Sequence, residues 1–256
     1  AVKMKNKILK ISAVVLAIAL LFGGLFLLFR DDVQVKIQEE KIKPYVPDFT
    51  LLKVQEKSDS EEENNAEVPA EAEEKLTKQV QNLCDNFDNS IGWICIPETK
   101  INYPVMYSGD NDFYLHRAVD GSYLRVGSIF LDYRCNSDFT SRINILYGHN
   151  MSDGSMFADV TKFIDSNYFD SHDYGWLTTE NAVYKIDFFS VSQPENYDSF
   201  YDVNADVNSW LDNLRSDSFI WRNVGISEEN QFISLSTCTG SEGSSRTVLT
   251  GKLTEI

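Results

Sequence analysis

Three side chains in the C-terminal half of the chain carry the functional groups that acyl transfer needs. Cys238 closes the apolar run Phe232-Ile233-Ser234-Leu235-Ser236-Thr237, and Arg246 opens the run Arg246–Leu253. Between them lies the polar loop Thr239-Gly240-Ser241-Glu242-Gly243-Ser244-Ser245. Two runs joined in this way predict an antiparallel pair, with the strands about 4.8 Å apart. Cys238 and Arg246 then face each other across the loop mouth. A guanidinium beside a thiol favours the thiolate, and the same group is suited to the oxyanion of a tetrahedral intermediate. A proton shuttle must come from one of three histidines. His149 follows the apolar strand Ile143–Tyr147 in Tyr147-Gly148-His149-Asn150-Met151, which places it on a rim rather than in a core. His116, in Tyr114-Leu115-His116-Arg117, and His172, in Ser171-His172-Asp173, read as ordinary loop or surface histidines.

Singly, each of the three has a plainer reading. A lone Cys after an apolar strand is commonly a small buried residue. A lone Arg at a strand start is commonly a solvated edge or an ion pair, and a lone His after a strand a turn residue. His149 and Cys238 are 89 positions apart, and spacing alone does not bring them together.

The elements that must position these residues are short and mostly β. Apolar runs bounded by turn residues predict strands at Ile91–Ile96, Ile101–Met106, Gly127–Tyr133, Ile143–Tyr147, Val183–Val191, Phe232–Thr237 and Arg246–Leu253. Their spacing suits a closed barrel or a sandwich. Leu76, Val80, Leu83, Cys84 and Phe87 recur on one face of a helix that precedes the first strand. Two helical insertions are expected. Met156–Ile164 would be capped by Ser155, and Val207, Trp210, Leu211 and Leu214 mark a helix over about 204–215. Cys84 and Cys95 read as packing residues and Cys135 as a loop cysteine open to a disulfide. No C-x-x-C pair points to a metal.

The chain of 256 residues has 23 Lys+Arg against 39 Asp+Glu, a net charge of −16 that argues against nucleic-acid binding. The charge is unevenly spread. Lys3, Lys5, Lys7, Lys10 and Arg30 face no acid in the first 30 residues. The 19 residues from Ile11 to Phe29 are uncharged and nearly span a hydrocarbon core of about 30 Å as a helix. With the lysines before it, this run predicts a single-pass anchor at 11–29, residues 1–10 in the cytoplasm and everything after Arg30 outside. The alternative of a cleaved signal peptide expects a shorter apolar region and a small-x-small site, which Leu27-Leu28-Phe29-Arg30-Asp31-Asp32 does not offer. Residues 30–74 read as an extracellular linker. Glu61, Glu62, Glu63, Glu67 and Glu71 are among the acids that make its second half self-repelling. The catalytic domain is then expected over 75–256.

Several segments, in this order, resemble the sortases. Leu235-Ser236-Thr237-Cys238 with Arg246 eight residues on, and Tyr147-Gly148-His149-Asn150-Met151, resemble the family's signature segments. Ile91-Gly92-Trp93-Ile94-Cys95-Ile96-Pro97, Ile101-Asn102-Tyr103-Pro104-Val105, Asn111-Asp112-Phe113-Tyr114-Leu115, Gly127–Asp132 and Asp153-Gly154-Ser155-Met156-Phe157 resemble the class B branch, as does a long helical insertion at 195–222. The resemblance implies a mainly β fold: a closed eight-stranded sortase-type barrel with an N-terminal helix and a helical insertion before the Cys strand. It also implies a cysteine transpeptidase with Cys238 as nucleophile, His149 as general acid/base and Arg246 as oxyanion stabiliser. The substrate groove would be lined by Asn111, Leu115, Ser236, Thr237 and Tyr197. The donor would be an x-Pro-x-Thr sorting motif at the C-terminus of surface proteins. The acceptor would be an amine of peptidoglycan or of a lipid-linked precursor. No metal or organic cofactor is implied.

Two other readings compete with this one. An L,D-transpeptidase also pairs Cys with His but places Arg two residues after the Cys, where this chain has Gly240. An anchored adhesion domain would simply bury Cys238.

Overall fold

The computed structural model describes residues 33–52, 70–194, 197–239 and 245–256. The chain divides into two compact units, Ala1–Lys43 and Pro44–Ile256. In the first, residues 33–42 are helical (α1), and Lys43 meets Glu40 at 3.2 Å, an exposed pair of small energetic weight. The apolar run 11–29 and most of the acidic stretch, residues 53–69, lie outside the described residues. Among the described residues no helix is long and apolar enough to cross a membrane.

The second unit is organised by nine strands: β1 (Ser90–Cys95), β2 (Asn102–Met106), β3 (Ile129–Leu131), β4 (Ile143–Tyr147), β5 (Tyr174–Thr178), β6 (Val183–Ser192), β7 (Ser218–Trp221), β8 (Gln231–Thr239) and β9 (Ser245–Glu255). They pair in the order β5-β1-β2-β3-β4-β8-β9-β6-β7, and β5 also pairs with β6. That last pairing closes eight strands into a barrel and leaves β7 as an appendage of β6. The pairs β2–β3 and β4–β8 are parallel; the others are antiparallel. All seven expected strands are present, with ends shifted by a few residues. Two strands are additional: β5, whose Gly175 and five-residue length gave no clear alternation, and β7, inside the segment expected to be helical.

Helix α2 (Ala70–Asn86) turns Ala72, Leu76, Val80 and Leu83 inward and carries Glu71 and Glu73 in its first turn, where the helix dipole favours acids. Leu76, Val80 and Leu83 are fully buried, each contributing roughly 1.5–3 kcal/mol of transfer free energy. Residues 44–52 belong to this unit. Leu52 is buried with Ala72, Leu76, Trp176 and Val183 in one cluster. The ordered unit therefore begins ahead of residue 75.

The segment after His149 differs from expectation. Met156–Ile164 is not an α-helix capped by Ser155. A 3-10 helix starts only at Ala158 (Ala158–Ile164), with no side-chain cap, and the Ser155 hydroxyl donates instead to Asp153. Met156 has φ +59°. Its N–H is taken by the Tyr103 hydroxyl at 2.9 Å, and the N–H of Phe157 by the His149 carbonyl. Both hydrogen bonds close the loop behind His149, and the left-handed backbone of Met156 keeps it out of a right-handed helix. Farther on come the short helices α3 (Ser166–Ser171) and α4 (Tyr197–Phe200) and the longer α5 (Val207–Ser216), which Asp206 caps by accepting from Ser209 N. The cap explains why α5 starts at 207 rather than near 204.

Candidate active site

The β8–β9 hairpin is in the register read from the sequence: Cys238 is the cross-strand partner of Arg246. On its other side β8 runs parallel to β4, from Ile143↔Phe232 to Tyr147↔Ser236. Two residues beyond that last pair, His149 comes level with Cys238. The backbone ladder continues one rung past β4, Gly148 N donating to Ser236 O at 3.2 Å, and then the strands part. Side chains serve the next two carbonyls. Thr237 Oγ1 donates to Gly148 O at 2.8 Å, and Asn150 Nδ2 donates to Cys238 O at 2.9 Å. Cys238 thus lies on the middle strand of three, flanked by the chain that carries His149 and by the strand that carries Arg246. Gly148 leaves room for the Ile129 and Phe157 side chains packed against it: a Cβ there would stand 2.4 Å from Ile129 and 2.8 Å from Phe157.

His149 is half-buried, and its Nε2 lies 2.9 Å from the Leu115 carbonyl. A carbonyl only accepts, so Nε2 carries the proton and, in the neutral ring, Nδ1 is the basic nitrogen. Burial pulls the His149 pKa below the usual imidazole range. The Leu115 hydrogen bond opposes this, while His116, Arg125 and Arg246 add to it. The ring is therefore neutral, and able to accept a proton, near pH 7.

Leu115 belongs to a 3-10 helix, Phe113–His116, held down by Ser128 N donating to Tyr114 O and Leu124 N donating to His116 O, both 3.0 Å. Gly127 lies directly beneath it. Its φ is +61°, and a Cβ would come within 2.4 Å of the Leu115 oxygen. Only glycine combines that backbone conformation with that contact.

The residues expected to line a groove fall in two groups. Ser236, on the same face of β8 as Cys238, is 1% exposed and shares a 2.8 Å hydrogen bond with the Tyr201 hydroxyl. Tyr197 stacks on Tyr201 at 5.9 Å, and Tyr201 on Tyr147 at 6.0 Å. Asn111 sits at the far end of this system, where its Nδ2 donates to Asp132 at 3.1 Å and its Oδ1 accepts from Tyr133 N at 3.0 Å. Leu115 acts on the site through its carbonyl. Thr237 is 2% exposed, and its hydroxyl is turned back into the sheet toward Gly148 O.

Four participants were not read from the sequence. Tyr147 and Tyr201 form the ring ladder beside Ser236; the signals were the place of Tyr147 next to Gly148-His149 and the i,i+4 spacing of Tyr197 and Tyr201. Burial pushes the Tyr201 hydroxyl up to about 12, and it stays protonated. Asp132 is fully buried. It accepts from Tyr147 Oη at 2.8 Å, from Asn111, and from both Arg134 Nη2 (2.7 Å) and Nε (2.9 Å). Burial pushes its carboxyl up, but the bonds from Arg134, Tyr147 and Asn111 together outweigh this and hold it below the ordinary range. The fourth is His116, whose ring stacks on His149; no spacing rule links the two.

All four cysteines are free thiols. Cys135 is buried, with Sγ 3.4 Å from Ile143 O. Among the described residues no group of three His, Cys, Asp or Glu is placed to hold a metal.

No family model matches the chain. Among curated proteins it is similar to sortase B of Listeria monocytogenes, 36% identical over 171 residues, covering 64% of this chain and 69% of that one. Among solved structures it is similar to Bacillus anthracis sortase B in complex with AAEK1, with 34% identity, a TM-score of 0.64 and coverage of 70% of this chain and 85% of that one. It is also similar to a Staphylococcus aureus sortase B–substrate complex, with 26% identity, a TM-score of 0.66 and coverage of 70% and 86%. The barrel and these relatives define a cysteine transpeptidase of the cell surface. The chain belongs to the sortase B family.

Proposed function

We propose that this chain is a membrane-anchored transpeptidase that cleaves an x-Pro-x-Thr sorting motif and passes the acyl group through Cys238 to a cell-wall amine. The observation that carries the reading is the position of Cys238 on β8, opposite Arg246 and level with His149. The Cys238 sulfur attacks the Thr carbonyl of the motif, and His149 Nδ1 takes the thiol proton. As the C–N bond breaks, His149 returns that proton to the departing amine, leaving a thioester on Cys238. The acceptor amine then attacks the thioester, the C–S bond breaks, and the thiol is restored. Arg246 supports the oxyanion of both tetrahedral intermediates. The thioester retains the bond energy of the amide, so no nucleotide is consumed.

Tyr201, Tyr147 and Tyr197 offer the donor peptide flat ring faces over the buried Ser236, Leu115 borders the site from the 3-10 turn, and Asn111 stands at the far end of the ring ladder. The S. aureus relative is described with a substrate bound, which supports a peptide ligand here. The anchor is residues 11–29, with 30–74 as the extracellular approach to the catalytic unit and the N-terminus cytoplasmic. The acceptor is a peptidoglycan or lipid-linked precursor amine.

The test is a fluorogenic peptide panel spanning the motif positions, run with candidate amines and read by mass spectrometry. The expected result is cleavage with a thioacyl adduct on Cys238, lost in Cys238→Ala. Cleavage retained by Cys238→Ala overturns the proposal. Arg246→Lys keeps the charge but not the planar fork, so turnover falls while circular dichroism is unchanged. Undiminished turnover would make Arg246 structural.

A further inference from the structure

The His116 ring lies on the His149 ring, with centroids 5.6 Å apart and planes 20° from parallel. Leu115 and His116 are consecutive, so one dipeptide holds the same imidazole twice: the Leu115 carbonyl at its Nε2 edge and the His116 ring on its face. The turn that presents both is fixed by the Tyr114 and His116 carbonyls and by the Gly127 contact described above. His116 is itself oriented. Its Nδ1 lies 3.1 Å from the Arg125 carbonyl, which only accepts, so Nδ1 carries a proton and Nε2 is the nitrogen that gains one on acidification. His116 is the exposed member of the stacked pair and His149 the half-buried one.

We propose that His116 is a positioning residue for His149. Its ring sets the plane of the His149 imidazole, and its charge, when protonated, keeps the second proton off His149. A charge on one ring therefore opposes a charge on the other. This inference rests on the reading of His149 as the proton shuttle.

The surroundings isolate the effect. His149 is faced by His116 from the 3-10 turn, Arg125 from the loop after it, Arg246 from β9 and Cys238 from β8. His116 is faced by His149, by the Tyr123 ring at 6.5 Å and by the Arg125 carbonyl, with Arg117 next to it in the chain. Arginine keeps its charge throughout, and tyrosine titrates well above neutrality.

The test is histidine-selective 15N labelling of the full chain, which reports the protonation and tautomer of each imidazole without any substrate. In the wild type the expected result is a neutral Nε2–H tautomer for His149 and two mutually dependent titration curves. His116→Phe keeps a stacked ring without a charge. His149 should then follow a simple curve whose midpoint is higher, with its tautomer unchanged. His116→Gln, which removes the ring, should raise the midpoint similarly and broaden the His149 signals. The acid limb of kcat/KM for peptide cleavage should move with the midpoint in both variants, and kcat at high pH should fall in His116→Gln, which lacks the ring, more than in His116→Phe, which keeps it. An unmoved His149 midpoint in both variants overturns the proposal, as do independent single-site curves in the wild type. Absence of cleavage by the wild type would instead overturn the transpeptidase reading and leave the titration result standing.

Discussion

The side-chain amide of Asn150 stands in for a strand: it donates to the carbonyl of Cys238 at the rung where a further residue of β4 would have done so. The chain is thereby free to turn and present His149 while its neighbour still holds the strand of the thiol in register. Asn150→Ala removes the donor and leaves that carbonyl without it. A net hydrogen bond contributes about 1 kcal/mol, so the expected thermal shift is small. The catalytic effect should be larger, a fall in kcat of roughly tenfold at nearly constant KM, because a displacement of the His149 loop acts on the reacting geometry. A stopped-time peptide assay beside a melting curve separates the two. Loss of stability without loss of kcat would assign Asn150 to packing alone.

Gly127 sets the height of the Leu115 carbonyl. Gly127→Ala places a methyl 2.4 Å from that oxygen at φ +61°. A left-handed conformation alone costs about 1–2 kcal/mol in an L-residue, and the contact adds to it. The variant is expected to melt lower and, where still folded, to show His149 without a fixed tautomer. Native melting and a wild-type His149 spectrum would contradict this account of the turn.

Asp132 is a buried carboxylate whose partners reach from Asn111 to the ring ladder. Asp132→Asn removes the charge that faces Arg134 and puts an amide donor against a guanidinium. The pair is half open on the Arg134 side, so the expected loss is about 2–3 kcal/mol at neutral pH, below the usual cost of breaking a fully buried pair. The folded carboxyl titrates below its unfolded value of about 3.9, so its stabilisation is complete above that pH and disappears as pH falls through the folded value. Melting temperatures of wild type and variant should therefore converge below about pH 4. A constant gap down to pH 2 would mean that the charge is not what Asp132 contributes.

Burial pushes the Cys95 and Cys135 thiols up to about 12 and the Cys84 thiol to about 11. None supplies useful thiolate near neutral pH, whereas Cys238 lies at a strand end beside Arg246. A methanethiosulfonate reagent at pH 7.5 is therefore expected to modify Cys238 alone in the folded chain and all four cysteines in denaturant, as read by intact mass. Rapid labelling of Cys95 or Cys135 would show that the barrel opens locally.

What the sequence revealed follows the range of the interactions. The β8–β9 hairpin was legible to the residue because its partners are joined by one loop, and the place of His149 after β4 was legible because a strand end is a local signal. Residues whose roles depend on packing across the barrel were not. His116 reads as a surface histidine until the turn at 113–116 is folded over the end of β4. Asp132 reads as one residue of the expected strand Gly127–Tyr133 until Tyr147 and Asn111 converge on it. β5 was missed because its Gly175 answers to Phe188 and the Cys95 carbonyl on neighbouring strands, and Met156 was read as helical because its partner, Tyr103, lies 53 positions earlier.

β9 is the strand that joins β8 to β6, and without it the other seven barrel strands remain an open sheet. It also follows β8 in chain order. The parallel β4–β8 pairing likewise waits for residues far along the chain, the slow kind of contact to form. A nascent or truncated polypeptide that ends before Ser245 carries the thiol but neither the guanidinium nor the closed wall around it. Until β9 docks, the thiol on β8 has no guanidinium opposite it, so barrel closure and completion of the site are one event.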